Sequence, residues 1–132
     1  PQMDSIYQKK SFNVYGDIEL DTCQENILPY GYDVNQKVKF IEDVVQLEFL
    51  KYMNAWAENL EKKGAVVWYR YCPVNKLAVE DTEAVEIYDA FLRKKLEFPV
   101  IGNPENSLMD AEWFFDTNFH LNSAGKKSIR CS

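Results

Sequence analysis

Histidine is almost absent from this sequence: His120 is the single imidazole in 132 residues. One histidine cannot build a histidine-rich metal site. The three cysteines, Cys23, Cys72 and Cys131, lie too far apart for a paired-cysteine zinc motif, so no metal and no other cofactor is expected. An odd cysteine count allows one disulfide with a spare thiol, or three thiols, and does not decide the redox compartment. Positive charge is scarce as well. Fifteen Lys and Arg against 21 Asp and Glu give a net charge of −6 and a pI near 4.8. Such a surface repels phosphate backbones, so no nucleic-acid partner is expected. No apolar run approaches the roughly 20 residues that cross a bilayer, which excludes a helical membrane span. The start, Pro1-Gln2-Met3-Asp4, has neither the basic nor the apolar region of a signal peptide. Lacking an initiator Met, the chain reads as a processed or excised piece, which leaves the compartment of its parent open. There is no internal repeat and no low-complexity tract.

What remains is a globular composition: 46% hydrophobic, 14% aromatic and 27% charged residues. Residues 1–35 carry Gly16, Pro29 and Gly31 among several Asn and Asp, and read as an irregular segment. Over 36–63 apolar residues recur at steps of three and four: Val38, Ile41, Val45, Phe49, Tyr52, Trp56 and Leu60. This predicts an amphipathic helix with one broad buried face, capped at its start by Asn35 and stopped by Lys62-Lys63-Gly64. A stripe that wide in a short chain predicts self-association.

Residues 65–71, rich in β-branched and aromatic side chains and ended by Pro73, predict a strand buried on both faces in its first half. A second helix is expected over 80–96, with Ala84, Val85, Tyr88, Phe91 and Leu92 on its apolar face. A short strand over 98–101 closes at Gly102, a helical turn fits Asp110–Phe114, and Asn122 can cap a last helix from Ser123. This alternation implies a single α/β unit over 1–132 with a parallel sheet, the 65–71 strand central and 98–101 beside it. Functional loops in such sheets open at the carboxyl ends of the strands.

His120 draws attention through its context. It follows the aromatic run Trp113-Phe114-Phe115, precedes a capped helix, and has Asp116 four residues upstream. A carboxylate bonded to one ring nitrogen fixes the tautomer and presents the other nitrogen as a general base. Other arrangements have blander readings. Asp110, Glu112 and Asp116 resemble a glycosidase pair or hard-metal cluster, but acids at a helix start more often complement its dipole. Cys72, at a strand end, reads as a small buried hydrophobe before it reads as a nucleophile.

The segment Phe115-Asp116-Thr117-Asn118-Phe119-His120-Leu121-Asn122, followed by Gly125 and Ile129-Arg130, resembles the C-terminal histidine block of SGNH (GDSL-type) hydrolases. The likeness extends over 36–130 through the order helix, Lys-Lys-Gly, strand ending in Cys72-Pro73-Val74-Asn75, helix, and Phe98-Pro99-Val100-Ile101. It implies a three-layer α/β/α sandwich of flavodoxin-like type, of which this chain is only part. It implies esterase or acyltransferase chemistry on acylated carbohydrate or a cell-envelope polymer, and so an extracytoplasmic or secreted setting. His120 would be the base, Asp116 its orienting partner, and Asn75, Trp113 and Asn118 substrate contacts. The usual acid position, three before the histidine, holds Thr117. Met3-Asp4-Ser5-Ile6 lacks the glycine and strand of a nucleophile block, and Tyr15-Gly16-Asp17 is too short for an oxyanion block. The serine is therefore expected outside this chain, leaving the chain inactive alone; the alternative is a degenerate, non-catalytic domain that binds carbohydrate or a protein partner.

Overall fold

Lys37-Val38-Lys39-Phe40 alternates charged and apolar residues with period two, and this local pattern prevails over the helical spacing that runs through it. In the structure, a computed structural model that describes residues 14–15, 25–41 and 47–130 with side chains as far as Ser128, residues 36–41 are not helical. Val38 forms a parallel bridge with Val79. Its N–H donates to the Ala78 carbonyl at 2.8 Å, and its own carbonyl accepts from the Glu80 N–H at 3.2 Å. Asn35 therefore caps no helix at 36. The helix α1 spans Leu47–Lys62, and residues 42–46 of the expected helix lie outside the described residues.

The buried face of α1 also differs from the expected one. Two apolar stripes interleave along it, Phe49-Tyr52-Trp56 and Leu50-Met53-Ala57. The second is buried, with Leu50 and Ala57 in the core, while Phe49, Tyr52 and Trp56 are exposed. The orientation is pinned by Asn54, whose amide donates to the Lys95 carbonyl at 3.0 Å and accepts from the Glu97 N–H at 2.9 Å. With Asn54 facing the end of the second helix, its neighbours Leu50, Met53 and Ala57 pack there and the larger aromatics turn outward. α1 stops as its sequence implies. Gly64 adopts φ +89°, and the Ala65 N–H returns to the Leu60 carbonyl at 3.1 Å.

The chain then extends and forms one side of a parallel ladder. Tyr69 bridges Val100, with the Tyr69 N–H donating to Pro99 at 2.8 Å and the Ile101 N–H donating to Tyr69 at 2.9 Å. Further on, β1 (Val74–Asn75) pairs in parallel with β2 (Leu108–Met109). The parallel sense of the pairing between 65–71 and 98–101 agrees with expectation, but it is confined to the Tyr69–Val100 bridge, and among the described residues 65–71 has no strand on its other side, so it is not the central strand expected. The expected double burial at 65–67 is not found: Ala65 and Val66 are exposed, because this segment borders the ladder and nothing described covers its outer face.

Between the two contacts one side advances five residues (69 to 74) and the other eight (100 to 108). The surplus bulges out through Gly102, at φ +81°, and a 3-10 turn at Pro104–Ser107 capped by Asn103. The ladder is thus interrupted rather than continuous.

α2 spans Ala84–Lys95. Asp81 accepts from the N–H groups of Glu83 and Ala84 just before it, and Arg93, Lys94 and Lys95 lie in its last turn. Its Leu92 joins Leu50, Ala57, Leu96, Phe98 and Val100 in the core, so both helices pack near the Tyr69–Val100 bridge. A 3-10 turn at Ala111–Trp113 and the helix α3, Ser123–Arg130, complete a mixed fold of α/β class with a small parallel sheet. Among the described residues no helix is long and apolar enough to cross a membrane.

Candidate functional site

Asp116 and His120 meet because the backbone between them curls. The Thr117 hydroxyl oxygen accepts from the N–H groups of Phe119 at 3.2 Å and His120 at 3.0 Å. Outside this turn, Phe114 and Leu121 pair antiparallel, and the Phe115 N–H donates to the His120 carbonyl at 2.9 Å. This closed loop brings His120 Nδ1 to 3.0 Å from Asp116 Oδ1. The four-residue spacing is therefore no obstacle: Thr117, at the usual acid position, supplies the turn that lets Asp116 reach back. A carboxylate can only accept, so in this contact Nδ1 is the donor, and the tautomer with the proton on Nδ1 is the one Asp116 favours. The histidine side chain is 50% exposed and that of Asp116 28%. The pair is accessible at the surface.

The asparagines expected to touch substrate are placed differently. Asn118, at the tip of the same loop, is fully buried. Its amide donates to the carbonyls of Asp33 at 3.0 Å and Gln36 at 2.8 Å, and accepts from the Asp33 N–H at 2.8 Å. Its backbone carbonyl accepts from the Asn75 N–H at 2.8 Å, which ties the loop to β1. Asn75 is also fully buried; it donates to the Gly31 carbonyl and caps the 3-10 turn Lys76–Ala78. Both amides are taken up by backbone groups, so they fix the loop rather than face a ligand. Trp113 is half-buried in its 3-10 turn, and its carbonyl accepts from the Asn122 N–H at 2.9 Å. Asn122 caps α3 as expected, accepting from the Gly125 N–H at 2.9 Å. Asp110 begins the turn at Ala111 without a side-chain capping bond. Ser5, Gly16, Asp17, Cys23 and Cys131 lie outside the described residues.

A cavity of about 660 Å³ opens in the interrupted ladder, between Arg70–Pro73 on one side and Ile101–Asn103 on the other. Cys72 is exposed in its wall, contrary to its expected burial, because the ladder gap removes the strand that would cover it. α2 braces both walls. The Tyr71 hydroxyl donates to Asp89 at 2.9 Å, and Arg93 donates to the other oxygen of Asp89 at 2.8 Å. The same guanidinium donates to the carbonyls of Val100 at 2.7 Å and Gly102 at 2.8 Å. Burial first, and then the hydrogen bond to Asp89 and its charge, push the Tyr71 phenol far above its ordinary range. Sequence reasoning missed this network. The spacing of Asp89 and Arg93, one helical turn apart, was its only legible trace.

Comparison with known proteins found no matching family model, no matching curated protein and no matching solved structure.

Proposed function

We propose that this chain is the C-terminal part of an SGNH-type esterase or acyltransferase, with a three-layer α/β/α architecture in the whole domain. His120 acts as general base and Asp116 as its orienting carboxylate. The observation that supports this most is the 3.0 Å Nδ1–Oδ1 contact held by a dedicated turn at a partly exposed position. The serine nucleophile and the oxyanion donors come from outside this chain, because the groups of a triad act as a unit. The substrate class is acylated carbohydrate or a cell-envelope polymer, and the setting is outside the cytoplasm. Exposed Phe49, Tyr52 and Trp56 on α1 support self-association.

A non-catalytic domain binding carbohydrate or a protein partner is the second reading. It is favoured by the cavity, whose wall includes no residue of the 116–122 block. Fluorophosphonate labelling and ester hydrolysis by the gene product that contains this chain separate the two. Catalysis predicts labelling of a serine upstream of the chain and a loss of about 10³-fold or more in turnover for His120→Ala, with Asp116→Asn losing a comparable factor. Equal turnover of the wild type and His120→Ala would remove the catalytic reading. Labelling of the 132-residue chain alone, abolished by Ser5→Ala, would place the nucleophile inside it.

A further inference from the structure

The cavity in the ladder gap has an unusual charge balance for this chain. The protein carries −6 overall, yet among the described residues no carboxylate lines the cavity and one cation, Arg70, does. Among the described residues Arg70 has no hydrogen-bond or ion-pair partner, whereas nearby Arg93 donates from each of its three nitrogens. The Asn106 side chain, also in the wall, makes no bond to a described residue. The wall also includes the apolar side chains of Pro73, Ile101 and Met109. The volume falls within the range of small-molecule sites, and the combination of apolar wall with few convergent polar groups is their usual chemistry.

We propose that this cavity binds a small organic monoanion, a carboxylate carried on a short apolar body. The guanidinium of Arg70 takes the carboxylate through its paired N–H donors, the Asn106 amide supplies a neutral donor, and the apolar body lies against Ile101, Met109 and Pro73. A carboxylate fits better than a phosphate ester. One arginine balances one negative charge, whereas a dianion would leave a charge uncompensated in a strongly acidic protein. The walls are preorganised: Asp89 holds Tyr71 on one side and Arg93 holds Val100 and Gly102 on the other, so little ordering is left for binding to impose. The inference needs neither Asp116 nor His120 and stands whether or not the hydrolase reading does.

The probe is sodium octanoate, titrated into the 15N-labelled chain and followed by amide shifts and calorimetry, with 1-octanol as the probe lacking the charge. Binding at the cavity predicts shift changes at Arg70, Cys72, Ile101–Asn103 and Asn106. Arg70→Gln weakens octanoate tenfold or more and leaves 1-octanol unchanged, while His120→Ala binds octanoate as the wild type does. Arg70 is exposed, so Arg70→Gln retains the fold; Asn106→Trp, which fills the cavity from the surface turn, abolishes binding of both probes. Octanoate that shifts no cavity amide, or that binds Arg70→Gln as tightly as the wild type, overturns the proposal.

Discussion

Replacing Asn118 by alanine tests whether the histidine loop is held by one buried amide. The change removes three side-chain hydrogen bonds, two donated to Asp33 and Gln36 and one accepted from Asp33, from a residue with no exposed surface. A net contribution of roughly 0.5–1.5 kcal/mol per bond gives about 3 kcal/mol for three. Asp33 is half-buried and Gln36 exposed, so water can reach some of the abandoned backbone groups, and about 2–3 kcal/mol is the better figure. For a chain of this size that corresponds to a fall in Tm of about 10 °C. Asn118→Asp should be worse than alanine. It keeps the oxygen facing the Asp33 N–H but turns a second, charged oxygen onto two carbonyls. Urea unfolding by circular dichroism gives the stability. The 15N shifts of the His120 ring give the consequence for the site: a proton fixed on Nδ1 in the wild type, and a mixture of tautomers once the loop no longer holds Asp116 and His120 together. An Asn118→Ala protein within about 0.5 kcal/mol of the wild type would refute the reasoning, since that is the scatter of ordinary surface substitutions. So would an Asn118→Asp protein of wild-type stability.

Gly125→Ala should destabilise by about 3 kcal/mol or more, because the new Cβ would run into the backbone carbonyl of Trp113, which cannot move aside without breaking its bond from Asn122. Thermal unfolding checks it, and a Tm unchanged from the wild type would contradict the packing of α3 on the Ala111–Trp113 turn. Tyr71 should stay protonated in the folded protein well above its ordinary value of 10.0, while the unfolded chain ionises there. The native state then holds the extra proton at high pH, so stability is complete below pH 10 and falls as pH rises above it. Tyr71→Phe should make that alkaline loss shallower in urea unfolding at pH 9–11; an identical slope in both proteins would mean that neither burial nor the bond to Asp89 raises the phenol.

The parts of this fold legible in the sequence are those decided within a few residues. Lys62-Lys63-Gly64 ends α1 and Asn122 caps α3, because each depends on local backbone chemistry; α2 was legible too, but it begins at Ala84, so Glu80 and Asp81 lie before it rather than in its first turn. The pairing of 69 with 100 was legible at one remove, through the alternation of helix and extended segments. What was not legible depends on partners distant in the chain. Periodicity placed Phe49, Tyr52 and Trp56 in the core, but the contact of Asn54 with residues 95 and 97 turns that stripe outward. Nothing near residue 72 announces a ladder gap, because the gap arises from three surplus residues around Pro104 on the opposite side.

The asparagines show why the site was harder to read than the fold. Asn26, Asn75, Asn118 and Asn122 sit where a polar residue in a loop invites a ligand-binding interpretation, and each uses its amide on backbone carbonyls. The physical reason is that residues 25–38 and 110–122 are largely irregular, so their peptide groups find few partners in regular secondary structure and must be satisfied by side chains. Asparagine serves best because one uncharged group both donates and accepts. The amide of Asn26 joins Gly31 to Ala111, Asn75 reaches Gly31, and Asn118 reaches Asp33 and Gln36. The two irregular segments are therefore stitched to each other and to β1. Asp116 and His120 stand apart from this pattern: their side chains meet each other, at a position open to solvent, and the turn between them is closed by Thr117. A pair of ionisable side chains kept in register at the surface, inside a loop whose amides are otherwise committed to its backbone, is what the proposed general-base role of His120 requires, and it is the reason to test His120 first.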